Sequence, residues 1–431
     1  MQTTSPAPGD RLPRLRPDLR GTPFQEGLGG ASGKHLVEAG DACYLLSADA
    51  WAAVEVMADE PATLGELGAE YTRRTGNAAS LQEMHALVWE RLPRTLFADT
   101  PAAPSRPPFL FHRRLLPAGV VEAIARRLAW LYTPWVVACV VLLFVASLVL
   151  SFVAAPASRP ELTPGEVGAL VALVLASMLV HELGHATACA RFGCPSGEVG
   201  WGVYVYLPMM YTDVTRAWRL SPRQRAVVDL GGLYFQALVV PLMVLWAWRT
   251  ESHTAQRLVW INVYMMLHAL NPMFKMDGYW LLTDLSGLTN LHRRTGTALR
   301  NAVARLAGAS LVPVAETDRV RSAVLHTYAV LCVAYFAFVA HMLSTSAPRL
   351  LAAYPATAAR HLAHVADAAG PLAAAGSLVA LLAATVPLAI VCLAGYFLSL
   401  RAAGLLAAVV RFAARRLRGG PRPTPHPSTA P

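Results

Sequence analysis

The chain has 431 residues, a formal net charge of +10, 55% hydrophobic residues and a mean hydropathy of +0.41. It is too apolar for an ordinary soluble enzyme and long enough for a bundle of membrane helices plus a small domain. The charge does not mark a nucleic-acid binder, because nearly all of it is arginine set beside apolar stretches rather than gathered on one recognition helix.

Residues 1–100 read as a separate cytoplasmic domain. Lys34 to Leu46 suggests two short strands around Ala39-Gly40-Asp41, and Ser47 opens a helix from Ala48 to Met57. Thr63 caps a second helix through Arg74, with Leu64, Leu67 and Tyr71 at helical spacing, and Leu81 to Leu92 supplies a third. Strands followed by three helices predict a small winged-helix-like α+β fold. The hairpin ending in Tyr44-Leu45-Leu46-Ser47, then Thr63-Leu64-Gly65-Glu66-Leu67, resembles the peptide-recognition domains of the pyrroloquinoline-quinone-biosynthesis D type over Arg16 to Phe97. The resemblance implies binding of the leader segment of a ribosomally made peptide; a purely structural cytoplasmic domain is the other reading.

Residues 101–130 follow as a stiff proline-rich linker, Pro101 to Pro117, and an amphipathic helix from Val120 to Trp130 suited to a membrane surface. Six stretches then approach the roughly 20 apolar residues that a bilayer core demands. They lie near 133–155, 168–190, 226–248, 258–276, 322–343 and 377–400. Arginines cluster before the first and third and after the fourth and sixth, as at Arg126 and Arg127, Arg223 and Arg225, Arg293 and Arg294, and Arg415 and Arg416. By the positive-inside rule both termini are cytoplasmic. Abundant alanine beside only two lysines, Lys34 and Lys275, points to a bacterial source and therefore to the inner (cell) membrane. The expected fold class is mainly α: a polytopic membrane bundle of about six spans over residues 131–410, with a re-entrant β-hairpin and the small amino-terminal domain. Residues 411–431 form a basic, proline-rich tail expected to be disordered. The six cysteines show no paired spacing, and Cys189 and Cys194 read as small buried hydrophobes.

Chemistry is concentrated in the second span. His181-Glu182-Leu183-Gly184-His185 puts two imidazoles on one helical face, where both reach a zinc ion, with Glu182 beside them to take a proton from water polarised by that ion. In the fourth span, Asn271-Pro272-Met273-Phe274-Lys275-Met276-Asp277-Gly278 keeps a carboxylate where an apolar helix would otherwise exclude one, making Asp277 the third ligand. Counted at 1.5 Å per residue, His181 lies about 21 Å and Asp277 about 27 Å into parallel spans, close enough in depth to meet. Pro272 breaks the helix ahead of Asp277 and lets it turn toward the histidines. Three ligands leave one tetrahedral position of Zn2+ for water, as a hydrolytic site requires. Asn271 is a catalytic candidate for the developing oxyanion, or a packing hydrogen bond; His268 reads as structural. The alternating run Gly200 to Pro208 predicts the re-entrant hairpin, whose edge offers Tyr204 and Tyr206 to an extended substrate, or else a packed surface loop. Asp213 stands either at the mouth of this site or in an ion pair with Arg216.

Together these two motifs resemble the site-2 protease family of intramembrane zinc metalloproteases across residues 165–285. Tyr211 to Trp218 and Asp277-Gly278-Tyr279-Trp280 are similar to its peptide-maturation branch. The resemblance implies ligation by His181, His185 and Asp277, catalysis by Glu182, and a membrane-associated or small ribosomal peptide as substrate, with a peptide exporter as partner. No PDZ insert is recognisable, which makes the amino-terminal domain the natural selector. Two alternatives accompany this expectation. One is regulated intramembrane proteolysis of a signalling protein such as an anti-sigma factor; the other is a non-catalytic peptide-export partner, which the intact Glu182 disfavours.

Overall fold

The computed structural model describes residues 12–417 apart from 30, 41, 62, 101–110, 154–161, 205–206, 307–310, 313–317 and 369. The chain is mainly helical, with two small antiparallel three-stranded sheets among the described residues. The tail expected over 411–431 lies outside them from residue 418 onward.

The first sheet has the order β1-β2-β3, with β1 Arg20–Gln25, β2 Ala31–Ala39 and β3 Ala42–Ser47. β2 and β3 form the expected hairpin; β1 was not expected, since Pro23 interrupts its pattern, and an edge strand tolerates that proline. The Ser47 hydroxyl accepts the Ala50 N–H at 3.2 Å and opens α1 Ala48–Ala58. Thr63 does the same for Glu66 at 3.2 Å and opens α2 Leu64–Thr75, which Gly76 ends at a φ of 74°. Ser80 and Glu83 close a capping box on α3 Leu81–Ala86, and a short wider turn carries the chain to Arg91. Val37, Val54, Leu67, Met84, Val88 and Leu96 bury themselves in one core between sheet and helices.

The span read as a stiff linker contains a strand. β4 His112–Leu116 pairs with β5 Val199–Tyr204, which in turn pairs with β6 Leu207–Thr212, giving the order β4-β5-β6. The β4–β5 pairing joins residues almost ninety positions apart, and a local pattern carries no signal of such a partner. α4 Ala118–Leu128 follows, buried at Val121 and Ala125 and ending in Arg126 and Arg127.

The long helices are α5 Pro134–Val153, α6 Pro164–Arg191, α8 Gly231–Thr250, α12 Arg319–Ala366 and α13 Pro371–Leu417; α7 Pro222–Asp229 leads into α8 across Leu230. α5, α6, α8, α12 and the stretch Ala373–Tyr396 within α13 are long and apolar enough to cross a membrane, five helices where about six spans were expected. The fourth expected span yields α9 His253–Ala269, whose 17 residues rise only about 26 Å before the chain turns. α10 Asp277–Ser286 and the amphipathic α11 Leu291–Leu306 follow. The stretch 344–376, which separates the last two expected spans, is helical through Ala366 despite Pro348 and Pro355.

Two compact units are distinguishable. One comprises Met1–Glu161 and Leu170–Cys332; the other comprises Leu162–Ala169 and Val333–Pro431. Within the first, α5, α8 and α9 share a core built on Val136, Val140, Val240, Leu258 and Val259. Within the second, the Tyr354 and Thr385 hydroxyls bond at 2.8 Å. Leu142, Phe152 and Val153 of α5 stand largely exposed, as on a helix surrounded by lipid rather than water.

Candidate metal centre

α6 and α8 cross where neither carries a side chain. A β-carbon on Gly184 would come within 2.7 Å of the Gly231 carbonyl carbon, and one on Gly232 would run into the His181 ring. The Tyr132 hydroxyl stitches the crossing by donating to the Gly184 carbonyl at 2.9 Å. α9 stops at Ala269, and the chain turns through Asn271 to Met276 so that Asp277 begins α10. The turn is tight because Gly278 lies against the Leu270 backbone, where a β-carbon would have no room. Its outer side is held by the Tyr328 hydroxyl, which donates to the Pro272 carbonyl at 2.7 Å.

The result brings together side chains from segments about ninety residues apart. His181 Nε2 lies 3.1 Å from Asp277 Oδ2, His185 Nε2 lies 3.6 Å from Asp277 Oδ1, and the two Nε2 atoms are 3.1 Å apart. Elsewhere on the rings, His181 Nδ1 faces Gln236 Oε1 at 3.0 Å and His185 Nδ1 faces the Val228 carbonyl at 2.7 Å. A backbone carbonyl can only accept, so the His185 proton sits on Nδ1 and its Nε2 presents a lone pair. Asp277 Oδ2 is buried without a hydrogen-bond donor. Lone pairs crowded together without a proton between them repel unless a cation lies among them. Tetrahedral ligands at about 2.0–2.1 Å from a metal stand about 3.3 Å from one another, and the observed separations bracket that value. His181, His185 and Asp277 therefore fit a metal ion, as their chemistry and mutual approach require.

Glu182 is 8% exposed and its Oε2 accepts from the Thr212 hydroxyl at 2.8 Å; the same hydroxyl lies 2.9 Å from the Glu182 carbonyl. A cavity of about 1000 Å³ opens over this group, lined on one side by Met209 to Thr212 of β6 and on another by Lys275, Asp277 and Trp280. That volume is at the upper end of small-molecule pockets. On its rim the Tyr211 hydroxyl donates to Glu198 at 3.0 Å; burial, aided by that carboxylate, pushes the phenol up to about 12.

The remaining candidates fall differently. Asn271 is not among the residues lining the cavity; its Oδ1 accepts the Met273 N–H at 3.0 Å and closes the turn before Asp277. Asp213 lines the cavity, but its Oδ1 accepts from the Thr215 N–H at 3.0 Å and the Thr215 hydroxyl at 2.6 Å. Tyr204 closes β5, while Tyr206 lies outside the described residues. His268 packs between Tyr264 and Phe274, in keeping with a structural role. Cys189 and Cys194 are free and pack among Ala217 and Val228.

Sequence reasoning missed Gln236, Asn262, Thr212 and Arg225. Gln236 and Asn262 stand in apolar runs, where a polar residue is itself a signal; Val228 contributes only a backbone atom, which leaves none. Arg225 was counted among the flanking charges, yet it is 4% exposed. Its guanidinium donates to Asp284 at 2.8 Å, to the Leu220 carbonyl at 2.9 Å and to the Gln25 carbonyl at 3.1 Å, and it lies over the Phe24 ring at 4.9 Å. Burial pushes the Asp284 carboxyl up while Arg225 pulls it back. With Glu38 paired to Arg219, this bond seats the amino-terminal sheet on the segment that leads into α7.

No protein-family model, curated protein or solved structure matches the chain.

Proposed function

We propose that this chain is a membrane-embedded zinc metallopeptidase of the site-2 protease kind, hydrolysing a peptide bond in a membrane-associated or small ribosomal peptide. The observation that carries the reading is the approach of His181, His185 and Asp277 to one point with the Glu182 carboxylate beside them. A purely structural metal would have no use for a carboxylate at that position.

A zinc ion held by these three residues would supply Lewis acidity toward a water molecule and the scissile carbonyl. With such an ion in place, the Glu182 carboxylate would serve as the base that accepts a proton from water and as the acid that returns it to the leaving amine. Thr212 holds the Glu182 carboxylate by its 2.8 Å hydrogen bond, so the base does not swing free. β6 pairs with β5 on one side and has no second strand partner among the described residues, which leaves an edge against which an extended substrate can lie. The amino-terminal domain, seated through Arg225 and Arg219, is suited to deliver a leader peptide, with a peptide exporter taking the product. The arginine flanks support an inner-membrane protein with both termini in the cytoplasm.

The test is Glu182→Ala in the full-length protein. Metal content should stay at the parental level while cleavage stops, read as accumulated precursor in peptide profiles of membranes from cells carrying either form. Identical profiles from the two would end the reading.

A further inference from the structure

The histidines differ in how their rings are held. His185 leans on a backbone carbonyl, which no substitution removes, whereas His181 leans on a side-chain amide that could in principle face it with either end. An amide nitrogen facing Nδ1 would place the ring proton on Nε2 and spoil the ligand; an amide oxygen leaves Nε2 bare. Which end faces the ring is decided two residues further on. Asn262, 0% exposed on α9, donates from Nδ2 to the Leu258 carbonyl at 2.9 Å. That carbonyl only accepts, so the Asn262 amide has a single satisfactory orientation. Its Oδ1 then points at Gln236 Nε2, 3.5 Å away, and also receives the Ser177 hydroxyl of α6. With Nε2 so engaged, Gln236 turns Oε1 to the imidazole at 3.0 Å. The path runs Leu258 carbonyl, Asn262, Gln236, His181, through α9, α8 and α6.

We infer that Gln236 and Asn262 are positioning residues that fix the proton of His181 on Nδ1 and so keep its Nε2 available to the metal. The inference rests on the proposed metal site. Gln236 and Asn262 are 1% and 0% exposed, so both amides are closed off from bulk water. A polar pair of this kind in an apolar bundle is retained against its desolvation cost only if its partners need it.

The experiment measures Zn2+ affinity of the detergent-solubilised full chain by competition with a chromophoric chelator, with no activity assay involved. Gln236→Met keeps the volume but removes the acceptor, and affinity should fall about 10- to 100-fold, the usual loss when a ligand histidine loses its outer partner. Gln236→Glu keeps an acceptor facing Nδ1 and should bind within about threefold of the parent. A packing role predicts the reverse order, with Met tolerated and the buried Glu harmful. His181→Ala separates the two layers of the argument. If it binds as tightly as the parent, the metal site itself is refuted; if it loses the metal while Gln236→Met does not, only the positioning role is. Should Gln236→Met fail to fold, a tenfold loss in Gln236→Glu overturns the inference alone.

Discussion

Arg225→Met should be among the most damaging single substitutions away from the candidate metal centre. The guanidinium is 4% exposed and its partner Asp284 is 7% exposed, so removing the cation strands a carboxylate and deprives the Leu220 and Gln25 carbonyls of a donor. Breaking a buried ion pair from one side costs about 3–5 kcal/mol. Taking both charges away with Arg225→Met and Asp284→Leu should restore most of it, leaving the double variant within about 1–2 kcal/mol of the parent. The loss also has a pH sign. In the folded chain Asp284 holds its proton to a higher pH than in the unfolded chain, whose carboxyl releases it near about 4. The folded state thus binds more protons across that window, and stability falls as pH rises through it. Without Arg225 the folded value climbs further, so the deficit should be larger at pH 8 than at pH 5. Denaturant titration in detergent micelles, followed by circular dichroism, reads all four forms of the cycle. A single variant that loses under about 1 kcal/mol, or a double variant as weak as the sum of the singles, would refute the buried-pair argument.

Three further outcomes are expected. Dialysis against a strong chelator should abolish peptide cleavage and added Zn2+ should restore it, with Mg2+ unable to, because two imidazoles and one carboxylate suit the softer ion. Thr212→Val should lower kcat about tenfold with KM nearly unchanged, while Thr212→Ser retains the parental rate, since a hydrogen bond to a charged group is worth about 1.5–3 kcal/mol. Glu38→Gln should lower stability at low salt by about 0.5–1 kcal/mol, read as a small drop in the thermal midpoint, and the difference should shrink in 1 M NaCl, because Arg219 is partly solvated.

What was legible in the sequence was local. Ser47 and Thr63 cap the helices they were expected to cap, and the four-residue spacing of His181 and His185 sufficed to put both on one face. Asp277 was legible because a carboxylate in an apolar run is costly, and Pro272 correctly marked the break ahead of it. What escaped was non-local. β4 looked like linker because its pattern means nothing until β5 lies beside it, and the bond from the Met273 N–H to Asn271 was hidden because it belongs to a turn in which Gly278 lies against Leu270. Charge misled in the same way at Arg225, where sequence records a cation and only the fold records that Asp284, Gln25 and Phe24 enclose it.

The bare crossing of Gly184 and Gly231 limits how this protein can move. Two backbones in direct touch have no rotamers between them to absorb sliding, so a β-carbon added at this crossing would push α6 off α8 and draw the His181 ring away from the Gln236 amide, 3.0 Å from it across the same seam.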